Sequence, residues 1–137
     1  MKQYDAIIIG AGPAGLCAAQ EIAKKGARTA VVDANSQPGG QLIKQIHKFF
    51  GSADVCAGVR GIHLGRQLYE TTAELGCDFF LDHAAYAIEP MPLGGYCVYC
   101  ANGETTACIS ATIVVLALGA SENALAFPGW TLPGVIT

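Results

Sequence analysis

The chain has 137 residues, of which 52% are apolar and 14% charged, and it carries a net charge of −3. One domain's worth of chain with this apolar content can bury a core, which excludes an intrinsically disordered segment. Eight scattered basic residues against eleven acidic ones exclude a nucleic-acid footprint, which needs clustered Lys and Arg.

Residues 4–9 end in Ile7-Ile8-Ile9 and predict a buried parallel strand. Gly10-Ala11-Gly12-Pro13-Ala14-Gly15 follows at once. Pro13 suits the first turn of a helix, where its missing N–H costs nothing. Leu16, Ala19, Ile22 and Ala23 then recur at helical spacing, and Lys24-Lys25-Gly26 closes the helix with cations and a glycine. Residues 29–33 predict a second strand, so the chain opens as β-α-β. A turn-rich loop follows over 35–40. Residues 59–76 predict a second helix, with Ile62, Leu64, Leu68, Tyr69, Ala73 and Leu75 as inward positions. A third strand is expected over 79–81, and short antiparallel strands over 84–89, 96–100 and 105–109. Gly94-Gly95 and Asn102-Gly103 supply the turns between them. Residues 112–118 predict another buried strand ending at Gly119. Beyond Phe127 the chain is rich in Pro and Gly and has no periodicity.

The opening MKQYDAIIIGAG turns glycine-rich too soon for a signal peptide, and residues 113–118 fall far short of a membrane span. A cytoplasmic location with no membrane partner is therefore expected. The six cysteines are expected mostly as reduced thiols.

The glycine pattern has a physical logic. Gly10 allows the tight turn out of the strand, Gly12 lets a pyrophosphate approach the backbone, and Gly15 lets the helix pack closely on the sheet. The helix start offers free N–H groups and a positive dipole. Asp33 ends the next strand, 18 residues after Gly15, where a carboxylate can accept from ribose hydroxyls. The motif alone does not separate FAD from NAD.

Two further features do separate them: Gln37-Pro38-Gly39-Gly40-Gln41-Leu42, and the strand ending Leu116-Ala117-Leu118-Gly119-Ala120. With the glycine loop they resemble the pyridine nucleotide-disulfide oxidoreductase superfamily, flavoproteins with two dinucleotide-binding domains. Gly-Gly-Gln-Leu is most similar to the thioredoxin-reductase-like branch. The resemblance covers essentially the whole chain and implies an α/β, Rossmann-like FAD-binding domain with a parallel sheet, helices and a small antiparallel β-meander. It implies that Gly10, Gly12, Pro13, Ala14 and Gly15 hold the FAD pyrophosphate. Asp33 and Ala34 would lie along the adenosine, with Asp where many members have Glu. Gly40, Gln41, Leu42 and Lys48 would lie toward the flavin, Ala85 would meet adenine through its backbone, and Ala117 and Gly119 would make the second FAD contact. Leu118 stands where the family usually has Thr, so a hydroxyl contact is expected to be lost. The resemblance also implies a FAD-binding domain over residues 1–126 that is incomplete at its C-terminus. Residues 127–137 would lead to a nicotinamide-binding domain absent from the sequence, where NAD(P)H would bind as co-substrate.

The stretch Gln41 to Phe50, where one branch of the superfamily carries its redox-active cysteine pair, has no cysteine. Cys97 and Cys100 are nominally CxxC, but residues three apart on a strand face opposite sides, so structural thiols are expected. Cys17 is expected in the core, and Cys56, Cys77 and Cys108 show no partner signal. His47 and Lys48 admit two readings: cations near the flavin ring, stabilising its reduced anionic form, or a solvated surface pair. His63 and His83 read as surface or satisfied core residues, and no His, Asp or Glu set has metal spacing.

Three functions fit. The first is the FAD-binding part of a flavin-dependent oxidoreductase passing electrons between a small substrate or partner redox subunit and a nicotinamide or other acceptor, loosely resembling the flavin subunits of amine- or imino-acid-oxidising dehydrogenases. The second is an NAD(P)-binding dehydrogenase without flavin. The third is a FAD-binding subunit that is non-catalytic or truncated. Association into a homo- or hetero-oligomer is expected, because the low charged fraction implies covered surface.

Overall fold

The computed structural model describes residues 2–120 and 125–135, with the side chain of Val55 also outside the description. The element order is β1 (Lys2–Ile9), α1 (Pro13–Ala23), β2 (Thr29–Val32), two short 3-10 helices (Gly40–Lys44 and Ala53–Val55), α2 (Gly61–Glu74), β3 (Asp78–Phe80), β4 (Ala84–Pro90), β5 (Tyr96–Ala101) and β6 (Thr106–Leu116). Six strands form one sheet in the order β3-β2-β1-β6-β5-β4. β1 runs parallel to both β2 and β6, and β4, β5 and β6 form the antiparallel meander.

Strand β1 explains its own composition. Ile8 packs with Leu16, Ala19 and Val31 on the α1 face, while Ile7 and Ile9 pack with Val32, Val98 and Ile109 on the other. A central parallel strand covered on both faces needs an unbroken apolar run rather than alternation. At the opposite end of the sheet from the glycines, the Tyr4 hydroxyl donates to Asp78 at 2.6 Å. Burial, then the Asp78 carboxylate, pushes the Tyr4 pKa upward.

Four expectations need correction. The strands expected at 105–109 and 112–118 are one continuous 11-residue strand, β6. Its first half pairs with β5 and its second with β1, and Ser110, between the two expected strands, is buried between Cys97 on one side and Gln3 on the other. Helix α2 does not bury the expected apolar positions: Ile62, Ala73 and Leu75 are exposed, and the buried residues are Gly61, Gly65 and Thr72. Leu68 and Tyr69 pack at the edge of the α1-face core, as expected. Cys17 is exposed rather than in the core. Finally, Cys97 and Cys108 form a disulfide between β5 and β6, with Cα atoms 6.6 Å apart. Cys97 sits opposite Ser110 and Cys108 opposite Tyr99, so the two sulfurs share one face as a diagonal pair, within reach across an antiparallel ladder. Cys100 lies on the other face in the core, as strand alternation requires.

Candidate functional site

The site lies at the C-terminal ends of β1, β2 and β6, where three backbone connections are tied together. Gly10 N–H donates to Val32 O at 2.8 Å, Ala117 N–H to Ile9 O at 2.8 Å, and Gly39 N–H to Ala11 O at 2.8 Å. The first two bonds align the strand ends. The third clamps the Gly39-Gly40 turn onto the glycine loop.

Each glycine has a separate reason to be glycine. Gly10 has φ +112°, and a Cβ there would lie 2.1 Å from Ala117 O. A Cβ on Gly15 would lie 1.8 Å from Gly10 O, so helix α1 can approach the strand end only without a side chain. Gly40 has φ +54°, and its Cβ would meet Gly12 Cα at 2.8 Å. Gly12 differs: its backbone is ordinary (φ −76°, ψ 179°), and the nearest heavy atom to an added Cβ is Gly40 Cα at 3.9 Å. No described protein atom forbids a side chain at Gly12, so among the described residues the space it leaves is open for a ligand.

That space is part of a cleft of about 590 Å³. Gly10, Gly12, Pro13 and Ala14 form its floor, Gly40 and Gln41 one wall, Ala117 and Gly119 the other, and Asp33 one side. A smaller hollow of about 200 Å³ adjoins it, lined by Asp33, Ala34, His83 and Ala85. The structure thus brings 11 of the 14 anticipated site residues to two adjoining hollows. The other three do not line them. Gly15 is buried beneath the loop. Leu42 is buried behind the Gly40 turn, against Gly65. Lys48 is exposed and forms an isolated backbone bridge with Arg60, and His47 beside it is exposed against Phe49.

Sequence reasoning missed Asn35, Gln37, Ile43, Lys44 and Leu116, all of which line the main cleft. Lys44 was discoverable: in a 3-10 helix residues three apart stack on one side, so Lys44 follows Gln41 into the cleft. It also missed a structural duty of Asp33. Its Oδ2 accepts from Ala11 N–H at 2.6 Å, and its Oδ1 accepts from the backbone N–H and the side-chain amide of Asn35, each at 2.8 Å. The carboxylate therefore braces the glycine loop, lines the cleft and keeps one acceptor site on Oδ2 for a ligand.

The electrostatics suit an anion flanked by a sugar. The first turn of α1 contains no acidic residue and Gly12 brings no capping side chain, so its N–H groups and dipole are directed at the cleft. Asp33 and Lys44 are the only charged side chains among the described lining residues, and no cysteine lines either hollow. Burial raises the Cys77 and Cys100 thiol pKa values, so both stay protonated and unreactive. Among the described residues no group of His, Cys, Asp and Glu is arranged to hold a metal ion, and no helix is long and apolar enough to cross a membrane.

The sequence pattern of a family described as pyridine nucleotide-disulphide oxidoreductase matches residues 4–136. Among curated relatives, an opine oxidase subunit of Agrobacterium tumefaciens (strain Ach5) is 38% identical over 98% of this chain and 27% of its own length. Hydrogen cyanide synthase subunit HcnB of Pseudomonas protegens is 32% identical over 94% of this chain and 27% of its own length. The chain thus spans about a quarter of these relatives. Among solved structures, a thioredoxin reductase from Gloeobacter violaceus superposes with a TM-score of 0.73 at 26% identity, covering 94% of this chain and 41% of that one. L-proline dehydrogenase from P. horikoshii superposes with a TM-score of 0.78 at 24% identity, covering 90% and 24%. The match across nearly the whole chain settles the family: the protein belongs to the pyridine nucleotide-disulphide oxidoreductase family.

Proposed function

We propose that this chain holds FAD for an oxidoreductase that oxidises a small amine, with the electrons leaving to a partner redox subunit or to a nicotinamide bound elsewhere. The observation that carries the cofactor reading is the Gly12 position, where an open cleft, a helix N-terminus and a braced carboxylate converge. The pyrophosphate would lie on the Gly12-Pro13-Ala14 turn. The adenosine ribose would meet Asp33, and the adenine would enter the smaller hollow beside Ala34 and Ala85. The bound flavin supplies the electron acceptor. Gln41 and the backbone at Ala117 and Gly119 orient the rest of the cofactor, and Leu116 and Leu118 keep water from it.

The substrate class rests on the relatives' names. Opine and sarcosine are both secondary amines that carry a carboxylate, and the proteins named for oxidising them match this chain over 98% and 96% of its length.

The test is to purify the chain, denature it and identify the released nucleotide. FAD is the expected product, and released NAD, or preferential NAD binding, overturns the cofactor reading. Anaerobic mixing of the flavin-loaded complete enzyme with secondary amino acids should bleach the flavin. Bleaching by a dithiol but not by any amine overturns the substrate reading.

A further inference from the structure

We propose that Lys44 is the cation that binds the cofactor pyrophosphate, an inference that rests on the dinucleotide reading above. Two negative charges enter a cleft whose charged lining, among the described residues, is Asp33 and Lys44 alone. Asp33 is already engaged by the N–H groups of Ala11 and Asn35. Lys44 makes no ion pair among the described residues, where the pairs are Lys24 with Glu21 and Arg66 with Glu70. An unpaired ammonium on the wall of an anion cleft, in a chain of net charge −3, is a local reversal of the molecule's field.

The base of Lys44 is held firmly. The 3-10 helix Gly40–Lys44 starts where Gly39 N–H bonds Ala11 O and Gly40 abuts Gly12 Cα, and it ends with Gln45 N–H donating to Leu42 O at 3.0 Å. Behind it, Gly61 and Gly65 of α2 bring that helix against Leu42, Gln45 and Gly39, so closely that a Cβ on Gly61 would lie 2.6 Å from Gln45 Cβ. The outward side of the turn carries Gln41 and Lys44, both exposed and both lining the cleft. A rigid base with a four-carbon stem lets the ammonium reach the phosphates without a cost in backbone ordering. Lys48, on the following loop, lines neither hollow.

The experiment titrates the apo chain with FAD and with ADP, which shares the pyrophosphate but lacks the flavin. Lys44→Met should weaken both by about five- to tenfold, between the values for exposed and partly desolvated charge pairs. Lys44→Arg should bind within about twofold of wild type, because the charge is kept. Raising salt from about 50 to 500 mM should weaken the wild type more than Lys44→Met, since only the former loses a screened attraction. Circular dichroism of apo Lys44→Met should match wild type, which a merely structural role would not predict alongside lost affinity. Unchanged affinity for both ligands in Lys44→Met overturns the proposal, as does loss of FAD with ADP unaffected, which would put the charge at the flavin end. If the wild type binds neither ligand, the cofactor reading itself has failed and this inference falls with it. Gly12→Val, which should abolish both, separates the two failures.

Discussion

At the scale of single residues, the four glycines of the cradle separate folding from binding. Gly12→Val places its side chain in open cleft with no clash among the described residues, on backbone that valine adopts readily. It should leave the thermal midpoint nearly unchanged and abolish stoichiometric flavin. Gly15→Ala should destabilise the chain by about 3 kcal/mol or more, because its methyl cannot coexist with Gly10 O and the helix must move. Thermal melts and bound flavin absorbance check both, and equal melting of the two variants would overturn the assignment. Asp33→Ala should weaken the apo fold as well as the cofactor, because it leaves Ala11 N–H without its acceptor, at about 1–3 kcal/mol. Thiol labelling gives a further check. Exposed Cys17 should react first near pH 8, Cys77 and Cys100 only on unfolding, and Cys97 and Cys108 only after reduction. The sign follows from the shifts. A raised thiol pKa in the folded state keeps the unreactive protonated form, and the stability it contributes is lost as pH climbs through that raised value. Fast labelling of Cys100 in the native chain would refute its placement in the core.

At the scale of elements, the sequence was legible where hydrophobicity itself marks the buried surface. Ile7-Ile8-Ile9, the Pro13 helix start and the turns at Gly94-Gly95 and Asn102-Gly103 all specify local structure through their own chemistry, and the structure has strands, helix and turns there. Legibility ended where an element is defined by its partner. The face of α2 that meets the 3-10 helix is built from Gly61 and Gly65, which contribute no apolar signal. Its contact with α1 includes a polar pair, the Gln20 amide donating to Leu68 O and Thr72 Oγ1, each at 3.0 Å. A periodicity argument therefore selected Ile62, Ala73 and Leu75, which face solvent. Likewise β6 was expected as two strands, although pairing on both sides carries one strand through Ser110. The Cys97–Cys108 pairing depends on the β5–β6 register and could not be found from spacing. These placements predict that Gly65→Val, which pushes α2 away from Gly39 and Leu42, costs about 1–3 kcal/mol. It should also loosen flavin binding, through displacement of the 3-10 helix. Denaturant melts with and without FAD measure both effects, and a variant that melts later than wild type would refute the close approach.

At the scale of the molecule, the decisive quantity is the number of nucleotide cradles. Among the described residues one strand–glycine–helix unit exists, at β1 and α1, and the two hollows adjoin around the same Asp33. Hydride transfer from a nicotinamide requires its reacting carbon to be held against the flavin, and such positioning can lower the barrier by about 7–11 kcal/mol. Under the proposed function, a chain with a single described cradle spends that cradle on the flavin. The wall beyond the pyrophosphate is also apolar and open, with Leu116 62% and Leu118 69% exposed. Exposed apolar patches of this kind mark a contact surface. The 137-residue chain alone should therefore bind FAD weakly in dilute solution. Its flavin should be reduced by NADPH or NADH only slowly and without saturation. Under the proposed function, adding a polypeptide that covers the Leu116 and Leu118 surface should both tighten FAD and accelerate its reduction. Stopped-flow mixing under anaerobic conditions reads flavin bleaching directly, and light scattering on the same sample establishes that the species is monomeric. Rapid, saturable reduction of a verified monomer by NADPH would mean that a second nucleotide site lies within these residues, and the single-cradle reading would have to be abandoned.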